Sequence, residues 1–354
     1  MRSLRTNKIL RTNVITYAVV VAAFVLFQCL GSAGVLSSTM KGQLVPICAY
    51  VLMALSLNLT VGILGELSLG HAGFMSVGAF AGAVTASAMQ DSVPSSALRL
   101  TVAVLVGAVL AAIVGVLIGI PVLRLNGDYL AIVTLAFGEI IKSIVNNLYI
   151  GMDANGLHAS FLNNTIVLGE GGRMILSGPM GVPGIKKTAT FAAGFILILI
   201  ALFVIFNLVN SRAGRAIMAL RDNRIAAESV GINVTKYKLM AFVISAAIAG
   251  AGGALYGQAQ NAIIATKFDF NTSILILVFV VLGGMGNMLG SILAAALLTV
   301  LPELLRSLND YRMLIYAIVL ILMMLFNSAP AMVQWREQMT EKLRKTFGKE
   351  KKEG

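Results

Sequence analysis

Ionisable side chains are rare in the apolar stretches of this sequence, and those that occur there could line a polar path. Glu139 and Lys142 lie inside one such stretch, three residues apart. On a helix this spacing places both side chains on one face, where they can form an ion pair. A lone charge at the centre of a bilayer costs roughly 2.5–3.5 kcal/mol on insertion scales, so a partner or a wet cavity is expected. The pair is either a structural ion pair facing other helices or part of the wall of a translocation path.

A second polar cluster surrounds the stretch GELSLGH, residues 65–71. Asn58, Glu66, Ser68 and His71 flank it, and Asp128 is a further acidic residue at the edge of an apolar run. A helix break here would expose backbone amides at a helix N-terminus, which suit a carboxylate. The alternative is a turn between two helices that contains a hydrogen-bonded histidine. The candidates for the translocation path are Asn58, Glu66, Ser68, His71, Glu139 and Lys142.

The same residues exclude the common classes of enzyme. The only two histidines, His71 and His158, are far apart, and neither a metalloprotease motif nor a nucleophile motif occurs. The nearest approach to a phosphate-binding loop starts at Gly178 and has Pro183 where the second glycine belongs. Cys29 and Cys48 both lie in apolar runs without further ligands, so they are expected to be packing residues. We therefore expect no catalytic residue, no metal site and no cofactor.

The composition is that of an integral membrane protein. Hydrophobic residues make up 58% of the chain and charged residues 12%, with a mean hydropathy of +0.89. Because the apolar runs are around twenty residues long, they predict helices rather than a barrel. The fold expected is an all-α polytopic bundle of about ten transmembrane or re-entrant segments. These are residues 14–36, 43–62, 67–89, 99–121, 129–149, 189–210, 239–259, 272–285, 288–305 and 311–329.

Two of these assignments leave alternatives. The basic start and the apolar run after it resemble a signal peptide, but the run is long and no convincing cleavage site follows, so a retained first span is expected. The segment 272–285 is short for a full crossing. It is separated from 288–305 by a glycine-rich turn, so 272–305 is either one broken span or two. The membrane domain is predicted to cover residues 1–330, with a charged tail at 331–354.

The charges of the loops orient the bundle. The net charge is +12. With the N-terminus inside, 18 basic residues fall on the cytoplasmic side and 8 on the outer side, which favours both termini inside. The loop 211–238 is the most basic internal loop, with six Lys and Arg against Asp222 and Glu228. Its middle predicts a short helix that stops at Gly231, and such a helix on the cytoplasmic face suits docking to a soluble partner.

Four sequence stretches carry a resemblance to a known family. They are LNLTVGILGELSLGHAGF from Leu57, RLNGDYLAIVTLAFGE from Arg124, the basic loop, and LGGMG from Leu282 with Gly290. Together they resemble the branched-chain amino-acid ABC transporter permeases of the LivM/LivH type over residues 45–305. The stretch from Arg124 favours the LivM-type subunit.

The resemblance implies a set of partners in a bacterial cell membrane. These are a second, LivH-type permease, two cytoplasmic ABC ATPase subunits and an extracytoplasmic solute-binding protein. The basic loop resembles the family's EAA loop, which docks into the ATPase. The implied coupling residues are Arg215, Arg221, Ala227, Glu228 and Gly231.

The sequence departs from the family pattern between Gly151 and Leu176, where the outer loop is enlarged. The identity of the solute is therefore open, and urea, amides or other carboxylates are alternatives to branched-chain amino acids. The alternative to an ABC importer is an ion-coupled secondary carrier or a channel that acts alone.

Overall fold

The computed structural model describes residues 2–34, 37–90, 92–125, 127–153, 156–163, 165–166, 168–169, 172–305 and 311–328. These residues are mostly helical, so the predicted all-α fold class is confirmed. The α-helices are α1 (Arg2–Ser32), α2 (Ser38–Asn58), α3 (His71–Ala88), α4 (Ser96–Val122), α5 (Asp128–Asn146), α6 (Phe191–Asn210), α7 (Arg212–Asp222), α8 (Arg224–Ser229), α9 (Val234–Ala259), α10 (Phe270–Gly283), α11 (Met288–Leu304) and α12 (Arg312–Ser328).

Length and hydropathy support a multi-pass membrane protein. Six helical segments of the described residues are long and apolar enough to cross a bilayer, and α11 is a shorter apolar helix. The six are Asn13–Ser32, Ser38–Leu64, Ser96–Val122, Phe191–Asn210, Val234–Ala259 and Ala265–Gly283. Several predicted boundaries were wrong: the span predicted from 67 begins as helix only at His71, whereas the spans predicted from 43 and 239 begin already at Ser38 and Val234. Lys236 and Lys238 therefore belong to α9 rather than to the loop before it.

The end of α2 changes its helical pitch. Residues Leu59–Leu64 continue α2 as a π-helix, which ends at Gly65 in the left-handed conformation with φ of 81°. The amide of Gly65 donates to the carbonyl of Thr60, five residues back. Glycine adopts this conformation without the steric cost that a side chain would add. Short π-helical segments inside α-helices often lie at functional sites.

Glycines bring α3, α4 and α9 into backbone contact at the centre of the bundle. A Cβ atom built on Gly78 of α3 would lie 2.5 Å from Cα of Gly250 in α9, and one built on Gly250 would lie 2.5 Å from the carbonyl oxygen of Gly107 in α4. A Cβ on Gly253 would likewise collide with the backbone of Met75. Small residues at these positions therefore permit the close helix packing that is common in membrane proteins.

A small antiparallel sheet follows α5, where a polar loop was expected. Its strands are β1 (Leu148–Asp153), β2 (Gly156–Phe161) and β3 (Arg173–Ser177), in the order β2-β1-β3. The span predicted to reach residue 149 ends at Asn146, because β1 starts two residues later. Nη2 of Arg173 donates to the carbonyl of Ser87 at 2.5 Å, which ties β3 to the last turn of α3.

Helices α10 and α11 are separate helices joined by the turn 284–287. Asp269 caps α10 by accepting from the amide of Thr272, and a Cβ on Gly283 would meet the backbone of Ser291 across the turn. The chain divides into two compact units after Leu297, within α11. The described part of the second unit consists of residues 298–305 and α12. The predicted tail, 331–354, lies outside the described residues.

Candidate coupling and translocation site

The predicted helix in the basic loop consists of two helices. The chain is extended at Asn223 between α7 and α8, with φ of −156°, so the prediction of one continuous helix was wrong. The break has a local cause, since Oδ1 of Asn223 accepts from the amide of Ala226 at 3.0 Å and caps α8. Ser211 caps α7 in the same way through the amide of Gly214 at 3.1 Å.

The predicted stop at Gly231 is confirmed. Gly231 has φ of 82°, and its amide donates to the carbonyl of Glu228 at 2.9 Å. The amide of Ile232 donates to the carbonyl of Ala227 at 3.1 Å. These two bonds form a Schellman motif, which satisfies carbonyls at the end of α8. Asn233 then caps α9, so both short helices are held at fixed ends.

Helices α7 and α8 bury apolar side chains against the chain, whereas α8 and its C-cap residue expose two others. Ile217, Leu220 and Ala227 are buried against the rest of the chain. Ile225 and Val230 are 80% and 75% exposed. A buried apolar side chain next to a strongly exposed one indicates that a single short segment has an inner and an outer contact surface.

The structure separates the predicted coupling residues by what they touch. Nη1 of Arg215 donates to the carbonyl of Asn210 at the end of α6, and Nη1 of Arg221 donates to the carbonyl of Gly62 at 2.9 Å. Glu228 forms an ion pair with Arg224 along α8, with Oε1 to Nε at 3.0 Å. Ala227 is buried, so its side chain packs α8 onto its own chain. The role of these residues in coupling stays a prediction.

Glu66 lies beside α7 and α8 rather than with the other polar candidates. It forms an ion pair with Lys238 of α9, and the two side chains are 13% and 4% exposed. An open groove of about 650 Å³ lies against this pair. Its lining includes residues 64–67, Gly127, Asp128, residues 220–225 and Lys238.

Ser68 and His71 enter a buried hydrogen-bond network with α2 and α9. The Ser245 hydroxyl donates to the carbonyl of Ser56 at 2.7 Å and accepts from Thr60 Oγ1 at 2.9 Å. Because a hydroxyl has a single proton, Nε2 of His71, 2.8 Å from Ser245 Oγ, must be the donor in that contact. Nδ1 of His71 then accepts from Ser68 Oγ at 3.2 Å.

Asn58 joins α2 to the turn after α10. Its Oδ1 accepts from the amide of Gly286 at 2.7 Å, and its Nδ2 donates to Ser291 Oγ at 2.8 Å. The side chain is fully buried. Among the described residues, Asn58 is therefore a link between helices with both ends of its amide occupied.

Glu139 and Lys142 form the ion pair that their spacing predicts. Their side chains are 40% and 26% exposed, so the pair lies at the edge of α5 and not in the centre of the bundle. Glu139 also borders a small cavity next to Asp269 and Ser273. The structure thus places the six path candidates in three groups. Glu66 lies at the open groove beside α7 and α8, the ion pair lies on α5, and the other three candidates (Asn58, Ser68 and His71) lie in buried hydrogen-bond networks.

Sequence reasoning missed several residues of this region. Ser245 and Thr60 complete the network around His71, and their only signal was a single hydroxyl within an apolar helix. Lys238 was counted as a loop charge, although its partner is Glu66. Ile225 and Val230 stand among polar residues, and that contrast was the signal that could have identified them.

Comparisons with known proteins agree with this architecture. Residues 40–325 match the family described as branched-chain amino acid transport system / permease component. The chain is 37% identical over 302 residues to the high-affinity branched-chain amino acid transport system permease protein LivM of Salmonella typhimurium, covering 82% of this chain and 69% of that protein. The LivM protein of Escherichia coli matches with the same identity and coverage.

A more distant relative is the nucleoside ABC transporter permease protein NupC of Lactococcus lactis, 25% identical over 198 residues, or 55% of this chain and 59% of that protein. No solved structure shows a significant match. The family match spans most of the chain, and the match to LivM covers 82% of it. The chain therefore belongs to the family of permease components of branched-chain amino acid transport systems.

Proposed function

We propose that this chain is the LivM-type membrane subunit of an ABC importer for branched-chain amino acids. It pairs with a LivH-type permease and works with two cytoplasmic ABC ATPase subunits and an extracytoplasmic solute-binding protein. The groove and helices α7–α8 face the cytoplasm of a bacterial cell, both termini lie on that side, and the small sheet faces outward. The family match, the LivM relatives and the loop-charge bias support this assignment.

The observation that supports the coupling role is the exposure of two apolar side chains, Ile225 on α8 and Val230 directly after it. Ile225 and Val230 are among the most exposed large apolar side chains of the described residues, and they occupy a segment whose ends are fixed by caps. Apolar side chains on a rigid, otherwise charged segment suit a protein surface better than water. In this proposal α8 inserts into a cleft of the ATPase, and the ATPase moves it during the nucleotide cycle.

The docking role is tested by co-purification of the permease with its ATPase subunits. Ile225→Ala is expected to weaken the association by about tenfold or more, because an anchor residue contributes on the order of 2 kcal/mol. Ile132→Ala is the matched control, since Ile132 is an isoleucine that is 61% exposed on the membrane helix α5. Equal retention of the ATPase by both variants would contradict docking through α8.

The class of transporter is tested by reconstitution into liposomes. The importer is expected to accumulate radiolabelled leucine only with the ATPases, ATP and the binding protein present. Excess isoleucine and valine are expected to compete, whereas urea and acetamide are not. Leucine accumulation by the purified chain alone, driven by a proton or sodium gradient, would establish the secondary carrier instead.

A further inference from the structure

The π-helical end of α2 is held from two sides by the segments that flank α8. Arg221 lies at the end of α7, and Lys238 lies near the start of α9. Both side chains reach the same short stretch of the chain, Gly62–Glu66. The segment that contains α8 is therefore attached at one end to the π-helical end of α2 and at the other end to Glu66, two residues beyond that helix.

The first attachment is a charged donor on a helix end. The last carbonyls of a helix have no partner within the helix, and a cation there also interacts favourably with the helix dipole. Nη1 of Arg221 meets this need by donating to the carbonyl of Gly62 at 2.9 Å. The Arg221 side chain also lies directly against Gly65, where a Cβ atom would be 3.2 Å from its Cδ.

The second attachment is the buried ion pair of Glu66 and Lys238. Removing one partner of such a pair leaves an uncompensated charge in a place with little water. While the ion pair is intact, a displacement of the first turns of α9 also displaces Glu66. Since 172 residues separate the two side chains, the contact fixes tertiary structure rather than local structure.

The stretch Gly62–Glu66 also contacts the turn between α10 and α11. A Cβ atom on Gly62 would collide with the backbone of Gly286, and the amide of Gly286 is held by Asn58. Movement of Gly62 must therefore be accommodated by the turn between α10 and α11. Short π-helical segments are rare and frequently lie at functional sites, which fits a role for this end of α2 in transport.

We propose that Arg221 and the Glu66–Lys238 pair form a latch that transmits movement of α7–α8 to the π-helical end of α2. The latch stays closed during transport, and its residues are positioning residues that contact neither solute nor nucleotide. The inference rests on the proposed function, because it requires a partner that displaces α8. It goes beyond docking, since it names the internal contacts through which the displacement reaches the membrane helices.

The test compares coupling in the complete transporter, reconstituted with its ATPases and binding protein. For Glu66→Gln and for Lys238→Gln, leucine transported per ATP hydrolysed is expected to fall about tenfold or more while ATP hydrolysis continues. The exchanged variant, Glu66→Lys with Lys238→Glu, is expected to recover part of the ratio. Asp153→Asn is the control, because it removes a buried carboxylate that is hydrogen-bonded to His158 in the small sheet.

A covalent replacement keeps the proposal testable if the charge variants assemble poorly. Glu66→Cys and Lys238→Cys are combined in a chain in which Cys29 and Cys48 are replaced by alanine. Joining them with a short bifunctional thiol reagent is expected to restore the coupling ratio relative to the unlinked thiols.

The outcomes separate this proposal from the function on which it rests. Unchanged coupling in Glu66→Gln and Lys238→Gln would overturn the latch and leave the importer intact. The proposal would also be overturned if leucine transport and ATP hydrolysis both fell in proportion to the amount of assembled complex and the crosslink did not restore them. The ion pair would then only stabilise the structure. If the unaltered chain moved leucine without any ATPase, the proposed function itself would fail.

Discussion

Substituting Gly78 by alanine tests whether backbone contact between α3 and α9 holds the bundle together. The added Cβ would lie 2.5 Å from Cα and 2.6 Å from C of Gly250, whereas ordinary contacts begin at 3.4 Å. The obstacle is backbone on a buried helix, so no side-chain rotation can relieve it. The carbonyl oxygen of Gly250 would be closer still, so the two helices must separate by more than an ångström at this point.

The loss of stability can be estimated from the packing contacts that this separation removes. A radial gap of about 0.5–1 Å loses a quarter to a half of the dispersion energy of each contact, and overpacking a core typically costs about 1–3 kcal/mol. We expect Gly78→Ala to cost at least the upper part of this range, because α3, α4 and α9 meet there. Helix association in membranes depends on this packing, since burial of apolar surface from lipid contributes little.

Thermal unfolding in detergent can be followed through the free cysteine of α2. Cys48 is 4% exposed, so a thiol-reactive fluorescent dye should label it only after the bundle opens. Cys29 is exposed and is replaced by alanine in every variant. The apparent Tm of Gly78→Ala is expected to fall clearly below that of the parent chain.

Gly42→Ala is the matched control for this measurement. Gly42 also lies in a helix, but no atom lies within 4 Å of the Cβ that would be added there. Alanine is intrinsically better than glycine in a helix by about 0.5–1 kcal/mol, so this variant should melt at or above the parent Tm. If the two variants melted together, the close backbone contact would carry no stability and the packing argument would be wrong.

Two further substitutions probe the coupling segment and the buried network. Gly231→Ala should destabilise the end of α8 by about 1–2 kcal/mol, because φ is positive there; no atom lies within 4 Å of the new Cβ, so the cost comes from the backbone alone. Faster amide hydrogen exchange in α8 is the expected result, and exchange equal to that of the parent chain would contradict it. Ser245→Ala should lower the apparent Tm more than Ser76→Ala, since it removes the partner of His71 and Thr60, at about 1–3 kcal/mol for each buried group left unpaired. Ser76 is buried without a side-chain hydrogen bond among the described residues, and equal Tm values would mean that the network adds no stability.

Local sequence signals predicted most of the structure of α7 and α8, because that structure is determined by neighbouring residues. Gly231 ends α8 since the left-handed conformation favours glycine, and the helix-forming residues before Asp222 form α7 as expected. The break at Asn223 was missed, although asparagine is among the preferred N-cap residues. The error came from reading the run as one helix and not from a tertiary effect.

Contacts between distant segments could not be predicted in the same way. Lys238 follows other polar residues in the sequence, so it was assigned to the loop, and only the fold brings it to Glu66. The small sheet was missed for a related reason. Strand β1 is apolar and directly follows α5, so it was read as the end of a membrane span, and its pairing with β3 depends on residues more than twenty positions away.

The hydrogen-bond partners around the start of α3 also limit how its N-terminus could bind a solute carboxylate. The amide of Leu69 donates to Thr134 Oγ1 at 3.0 Å, and the amide of Ala72 donates to Ser273 Oγ at 3.2 Å. The amide of Gly73 donates to the carbonyl of Gly70. In this conformation the chain itself uses these donors, and an anion would have to displace the hydroxyls of α5 and α10 to reach the first two. Such an exchange requires either rotation of the Thr134 and Ser273 side chains or movement of α3 relative to both helices, so a role for this N-terminus in the translocation path implies that these contacts rearrange during transport.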